Sequence, residues 1–450
     1  MLSGTGPAQS QISSCGPTWS AVGGPHVGAE GGLAGGVAAA SPNSVWAVGG
    51  YSPYPESSAT QPLTEHWDGT GWTFVKSPKG PPDSYLNLLT AVSAVSPDDV
   101  WAVGSVSNQE WWRTWTVHWN GSSWTHVRSP NARGPFSVNV FGGVAAVASD
   151  DVWAVGSDDT VSPRPLIEHW DGARWTVVPT DHIASAYDLL AVSAVSATDI
   201  WAVGYGKTAH WDGSTWTAVR RPKVGLISAL LGVDALSSSD VWAVGYSFDE
   251  TGEHALIEHW DGRRWSIVPS RDGSGGQGFL SGVAAVGHGD VWAVGRDDES
   301  PTRPLIEHWD GSGWSVASST ASLEGQLFGV GVTDDTGEVW AAGAGTDQPL
   351  GTPTFERICP IQVLDSGFSP SLVQDVPPGV TVAWSIPSTD AGSHGIMDGT
   401  GRRLFDSGLR PPGSSFTFTF AQNRAYPVID NATSGRSLIK VTEVLSTTPG

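Results

Sequence analysis

Cysteine and methionine are almost missing from this chain, with two of each in 450 residues, and charged residues make up only 15% of it. Basic residues are the scarcer sign, 23 against 45 acidic, so the formal charge is −22. A surface of that sign repels phosphate backbones and anionic membranes, which argues against nucleic acid as a partner. No run of about 18 apolar residues occurs, so no membrane-spanning helix is expected. Nor does the chain contain G-x-S-x-G, H-E-x-x-H or C-x-x-C, and the hydrolase, zinc-protease and dithiol signatures are thereby excluded. The first ten residues have neither a charged start nor an apolar stretch and do not read as a signal peptide.

Tryptophan and glycine are abundant instead, and they recur in order. A W-A-[VA]-G core appears with its Trp at Trp46, Trp101, Trp153, Trp201, Trp242, Trp292 and Trp340, a spacing of 41 to 55 residues. The first six copies are each followed by H-W-[DN]-G-x-x-W, ending at Trp72, Trp124, Trp175, Trp216, Trp265 and Trp314. Within one unit, Leu89 to Val95 alternates small and apolar residues, and S-P-D-D turns the chain into V-W-A-V-G. A third run, Trp115 to Trp119, ends at Asn120-Gly121, a strong hairpin signal, and a fourth begins at Trp124. Four-stranded meanders repeated seven times without a helical period predict an all-β chain closing into a seven-bladed β-propeller.

The ends of the array complete each other. Trp19 in T-W-S-A-V stands where Trp72 stands in G-W-T-F-V, so the N-terminus supplies a fourth strand, and the seventh copy has a third strand up to Ile358 but no fourth. N- and C-terminal strands therefore share one blade, which removes an open edge. Cys15 and Cys359 both fall where the turn between third and fourth strands would be, so a disulfide is expected to replace that turn. A structural disulfide implies an oxidising compartment. An extracellular or cell-surface protein is expected, with its signal sequence absent from this chain, and a monomer. The predicted organisation is a disordered segment 1–14, a propeller over 15–359, a second domain over 360–446 and a tail 447–450.

The blades, with Gly49-Gly50 followed by H-W-D-G-x-x-W, resemble degenerate kelch or galactose-oxidase-type blades. Residues 360–446 contain P-P-G-V-T-V-A-W, S-H-G-I, L-F-D-S-G, S-F-T-F-T-F and A-Y-P-V-I-D, and in that order they resemble a cupredoxin (plastocyanin-like), the β-sandwich of blue-copper proteins. The resemblance implies a copper ligand at His394 and further ligands after Tyr426. Asp430 stands at the Cys position, and no Cys, His or Met follows Tyr426. Blue copper needs a thiolate and two imidazoles. No metal and no cofactor are therefore expected.

Repeated residues serve the repeat. His66, His118, His169, His210, His259 and His308 occupy one blade position each and cannot converge on a single metal, so they and the neighbouring Trp read as packing between blades, and Asp-Gly reads as turn chemistry. The short A–B and C–D turns share one face, whereas the variable B–C and D–A loops share the other, where binding is usually built. On that second face the segment from Ser105 to Trp115 breaks the rule with N-Q-E-W-W-R-T-W. Glu110, Trp111, Trp112, Arg113 and Trp115 are candidate ligand-binding residues for a glycan or protein, because aromatic faces beside an arginine suit both. A Trp-rich loop folded onto its neighbouring blade would explain the same residues. Asp158-Asp159 and Asp297-Asp298-Glu299 lack calcium-loop spacing and read as solvated acidic loops. The expected function is a non-catalytic exported binding or scaffold protein. A glycan-active enzyme with a dispersed site, or copper electron transfer, are the alternatives.

Overall fold

Small residues next to V-W-A-V-G allow close strand packing, and in the computed structural model these runs form seven four-stranded antiparallel sheets, a seven-bladed β-propeller. The structure describes residues 18–441 except 26, 29–31, 55–58, 133–137, 159–163, 187, 207, 272–276, 299–300, 319–323, 334–336, 346–352, 365, 377–379, 388, 390, 400–403, 421, 423 and 434. The segments 1–14 and 447–450 assigned from sequence lie outside the described residues. Among the described residues of the propeller, one 3-10 turn, Asp181–Ala186, is the only helical element.

Blade 2 shows the unit: strands A (Leu86–Ser96), B (Asp99–Ser107), C (Trp112–Trp119) and D (Trp124–His126), paired A to B to C to D. Its C–D turn explains the [DN]-G signature. The Asn120 Oδ1 accepts hydrogen bonds from the backbone N–H groups of Ser122 and Ser123, both at 3.1 Å, while Gly121 sits at φ 84°, where a side chain is strained. Around the axis the A strands approach so closely that a Cβ on Gly143 would lie 2.9 Å from the Ala191 Cα. The missing side chain at Gly143 is what lets blades 3 and 4 come this close.

Tryptophan joins the blades. Six of the seven strand-B indoles pack against the two indoles that flank the C–D turn of the next blade, as Trp101 does with Trp170 at 5.1 Å and Trp175 at 5.5 Å, whereas Trp292 meets Trp19. Trp340 of blade 7 reaches Trp67 and Trp72 of blade 1 in the same way, which closes the ring. Blade 7 (Gly325–Val332, Val339–Gly345, Pro353–Ile358) is completed by Ser20–Val22, with Ser20 opposite Arg357 and Val22 opposite Phe355. Cys15 lies outside the described residues, and Cys359 is not a free thiol.

Beyond Cys359 the strands form two more four-stranded sheets. One holds Gly367–Ser369, Ile361–Leu364, Val380–Ile386 and Ser414–Phe420; the other holds Leu372–Val376, Arg436–Val441, Ala425–Asp430 and Ile396–Asp398. Both contribute to one core around Trp384, Phe405, Phe416, Phe420 and Tyr426. This unit is seated on the turn face of blade 6. Ser415 donates its N–H to the Gly289 carbonyl at 3.3 Å, its hydroxyl lies 2.8 Å from the His308 Nε2, and the Arg410 Nη2 meets an Asp310 carboxylate oxygen at 3.1 Å. Where other A–B turns read S-P-D-D or similar, blade 6 has Gly287-His288-Gly289. A Cβ on Gly287 would stand 2.5 Å from the Gly413 carbonyl oxygen and one on Gly289 3.0 Å from the Ser414 Cβ, so the two glycines leave room where the second unit arrives.

Candidate functional site on the variable-loop face

The B–C hairpins reach different heights. In blade 4, strand B stops at Gly204 and strand C starts at Thr208, whereas in blade 2 pairing continues to Ser107 opposite Trp112 and in blade 5 to Asp249 opposite Gly252. Among the described residues, strand pairing between B and C therefore runs furthest in blades 2 and 5.

In blade 2 the segment expected to be a loop is mostly strand, with only Asn108 to Trp111 turning. Two of the three candidate tryptophans are thereby removed from the ligand-binding set. Trp111 and Trp115 are 6% and 7% exposed and belong to the core of the blade. The cause is local: Trp115 stacks on His126 of strand D at 3.9 Å, and Arg113 lies over the Trp111 ring at 4.2 Å. Glu110 is exposed, and Trp112 and Arg113 are half-buried. These three are what blade 2 offers to a partner.

Blade 5, which sequence reasoning passed over, offers more. Leu226, Ile227 and Phe248 are 73%, 57% and 45% exposed, at the start of strand A and near the end of strand B. Below them the Tyr205 and Tyr246 hydroxyls lie 3.2 Å apart, and burial, then the neighbouring phenol, push the Tyr246 pKa up. Arg296 lies over the Phe279 ring at 4.5 Å and pairs with Asp298 at 2.7 Å and Glu253 at 3.7 Å. The signal available in the sequence was an apolar Leu-Ile pair after Gly225 inside a loop.

The repeated polar residues form a structural series. His118, His169, His210 and His259 bond to Asp99, Asp151, Asp199 and Asp240 at 2.7 to 2.8 Å, each imidazole against its own strand-B indole. Blade 1 substitutes Ser44 for the aspartate of this pair, and blade 7 uses Glu338 with Arg357. Asp159 and Glu299 lie outside the described residues; Asp158 and Asp297 are buried, and Asp298 is held by Arg296. Among the described residues no group of three or more His, Cys, Asp or Glu could hold a metal ion.

The copper that the cupredoxin resemblance would bring does not fit. The His394 Nδ1 lies 2.8 Å from Asp430 Oδ2, and both side chains are fully buried. Asp430 also accepts from the N–H groups of Gly395 and Ala432 at 3.0 and 3.1 Å and from Thr433. Burial alone would raise its pKa, but the bonds from Thr433, His394 and the backbone outweigh that and hold it down to about 2. An ionic hydrogen bond stands where a thiolate would have to be.

The class defined by these features is a β-propeller with a second all-β unit docked on one blade. No family model matches the chain, and no curated protein matches it. Solved structures do match. A structure described as YCF48 bound to D1 peptide aligns with a TM-score of 0.51 at 12% identity over 76% of this chain and 95% of that one. A chain of a mitotic checkpoint complex aligns at 0.50 and 11% identity over 80% and 96%. YCF48 from Cyanidioschyzon merolae aligns at 0.48 and 13% identity over 76% and 99%. At such identities the likeness is one of fold.

Proposed function

We propose that this protein is a non-catalytic binding scaffold that holds a protein or peptide segment on the variable-loop face of its propeller. The observation that carries the reading is where apolar surface is left open. Among the described residues of the propeller, the three most exposed large apolar side chains, Leu226, Tyr54 and Ile227 at 73%, 67% and 57%, all lie on that face. Glu110, Trp112 and Arg113 extend it on blade 2. A peptide-bound structure with the same fold supports the reading. Aliphatic Leu226 and Ile227 suit a peptide better than a glycan, whose rings call for flat aromatic surfaces.

The second unit, over 360–446, we read as a cupredoxin-like β-sandwich that has exchanged its metal for the His394–Asp430 pair, and the blades over 15–359 as kelch-like. We also infer export, with a Cys15–Cys359 disulfide fastening the closing blade. Peptide mapping without reductant tests that bridge: the two cysteine peptides should run linked, and free alkylated Cys15 would remove the argument for export.

Peptide display against the full chain, followed by amide hydrogen exchange with the selected peptides, tests the scaffold reading. Protection is expected in the loops around 76–87, 105–113, 221–228 and 246–254. Protection confined to the A–B and C–D turns, or no selectable peptide, would overturn it.

A further inference from the structure

The hairpin of blade 5 is amphipathic above the level of its sheet. Ile227 pairs directly with Phe248, and Phe248 with Glu253, so these three share one side of the hairpin; Ala229 pairs with Tyr246 one step lower on the same side. The opposite side carries Ser228 paired with Ser247, and the Arg221 Nη2 donates to the Ser228 hydroxyl at 3.0 Å. The backbone holds this ledge in place, since the Leu226 N–H donates to the Phe248 carbonyl at 2.8 Å and the turn beyond Asp249 is two residues long. Apolar side chains fixed on a strand pair lose little freedom when covered.

The charges around the ledge select what covers it. Asp249, Glu250, Glu253 and Asp298 lie around its tip, answered by Arg296 and by His254, which contacts Asp249 at 3.3 Å; Lys223 precedes Leu226 by three residues at the other end. The surplus is acidic, as is the whole chain at −22. A second copy would bring the same acidic ledge and be repelled, and nucleic acid and anionic membranes are disfavoured for the same reason.

We propose that the blade 5 hairpin is the docking ledge for an extended segment of a partner protein in which apolar side chains alternate with lysine or arginine. The apolar set covers Ile227 and Phe248, and the basic set reaches Glu250 and Glu253. This rests on the scaffold reading and names the partner's chemistry.

The probes are three labelled ten-residue peptides: lysine alternating with valine, glutamate alternating with valine, and lysine alternating with serine. Anisotropy with the full chain should show the lysine–valine peptide binding at least about tenfold tighter than either other peptide. Its binding should weaken without vanishing between about 50 and about 500 mM salt. Phe248→Ser and Glu250→Lys should each weaken it about fivefold or more, whereas Ile267→Ser on the outer strand of blade 5 should not. Phe248 is exposed, so unchanged melting of that variant separates lost binding from lost folding. Equal binding of the lysine–serine or glutamate–valine peptide, absence of binding, or indifference to both ledge variants would overturn the proposal. If exchange protection then appears on other variable loops, the ledge alone falls; if it appears nowhere on that face, the scaffold reading falls with it.

Discussion

Trp19 meets Trp292 edge-on, with ring centroids 5.3 Å apart and planes at 73°. In the six other blade interfaces the strand-B indole meets the strand-D indole of the next blade at 5.0 to 5.7 Å. Trp19 therefore fills, from the far end of the chain, the position that the repeat leaves empty in blade 7. It is fully buried, so Trp19→Ala should lower stability by about 3–5 kcal/mol. Removing the segment through Val22 should also bare the Pro353–Ile358 edge and promote association. Denaturant unfolding and size-exclusion chromatography check both; unaltered stability of Trp19→Ala would mean that the ring closes without it.

Glu65 and Glu168, the acids of E-H-W in blades 1 and 3, are fully buried, and neither carboxyl group has a hydrogen-bond partner among the described residues. Burial pushes their pKa values up to about 8 and about 9. Blades 5 and 6 solve the same problem with partners: the Arg221 Nε donates to Glu258 at 3.1 Å, and the Ser270 hydroxyl to Glu307 at 2.6 Å. An acid that is neutral when folded but ionised when unfolded makes stability fall as pH rises, here from the ordinary glutamate range up to about 8 and about 9. The melting temperature should decline over that window, and the double variant Glu65→Gln, Glu168→Gln should flatten the decline. An identical slope in the double variant would refute the assignment.

Blade number and ring closure were legible because W-A-V-G and H-W-D-G-x-x-W recur for a packing reason, the indole-to-indole contact between blades. The blade 2 insert was misread for an equally physical reason. Trp115 lies opposite Gly104, and Trp112 opposite Ser107, a register that extends strands B and C past the repeated motif. Nothing in N-Q-E-W-W-R-T-W by itself distinguishes that extension from a loop. The seat on blade 6 was visible only as Gly287-His288-Gly289, a departure whose cause, Gly413 to Ser415, lies far along the chain. The blade 5 ledge escaped notice because Leu226 and Ile227 look like ordinary strand residues until their exposure is known.

The buried pair His394–Asp430 should be indispensable to the second unit and indifferent to copper. Asp430→Ala leaves the Nδ1 of His394 and the N–H groups of Gly395 and Ala432 without their acceptor, and breaking such a buried pair costs about 3–5 kcal/mol. Because the Asp430 pKa is held down to about 2, its contribution is present above the ordinary aspartate range and lost as pH falls toward that value. Calorimetry across that acid range should show a fall in stability that is missing from Asp430→Asn, which cannot titrate and starts from the lower value at every pH. Titration with copper should give no intense thiolate-to-metal band in the visible spectrum, and the appearance of one would overturn the exchange of a metal site for the hydrogen-bonded His394–Asp430 pair.

The three blade 2 tryptophans should part company on substitution. Trp115 is 7% exposed and stacked face to face on His126 at 3.9 Å, and Trp111 is 6% exposed beneath Arg113. Trp115→Ala and Trp111→Ala should each cost about 3–5 kcal/mol, because the surrounding strands cannot collapse into the space left. Trp112 is half-buried, and its anchor is the backbone, whose carbonyl accepts from the Asn139 N–H at 3.1 Å whatever the side chain. Trp112→Ala should therefore cost no more than about 1.5 kcal/mol. Its effect should appear instead as weaker capture of peptides selected against the variable-loop face, by about fivefold or more. If Trp112→Ala destabilises as much as Trp115→Ala and leaves capture untouched, the whole segment is packing, and binding on this face belongs to blade 5 alone.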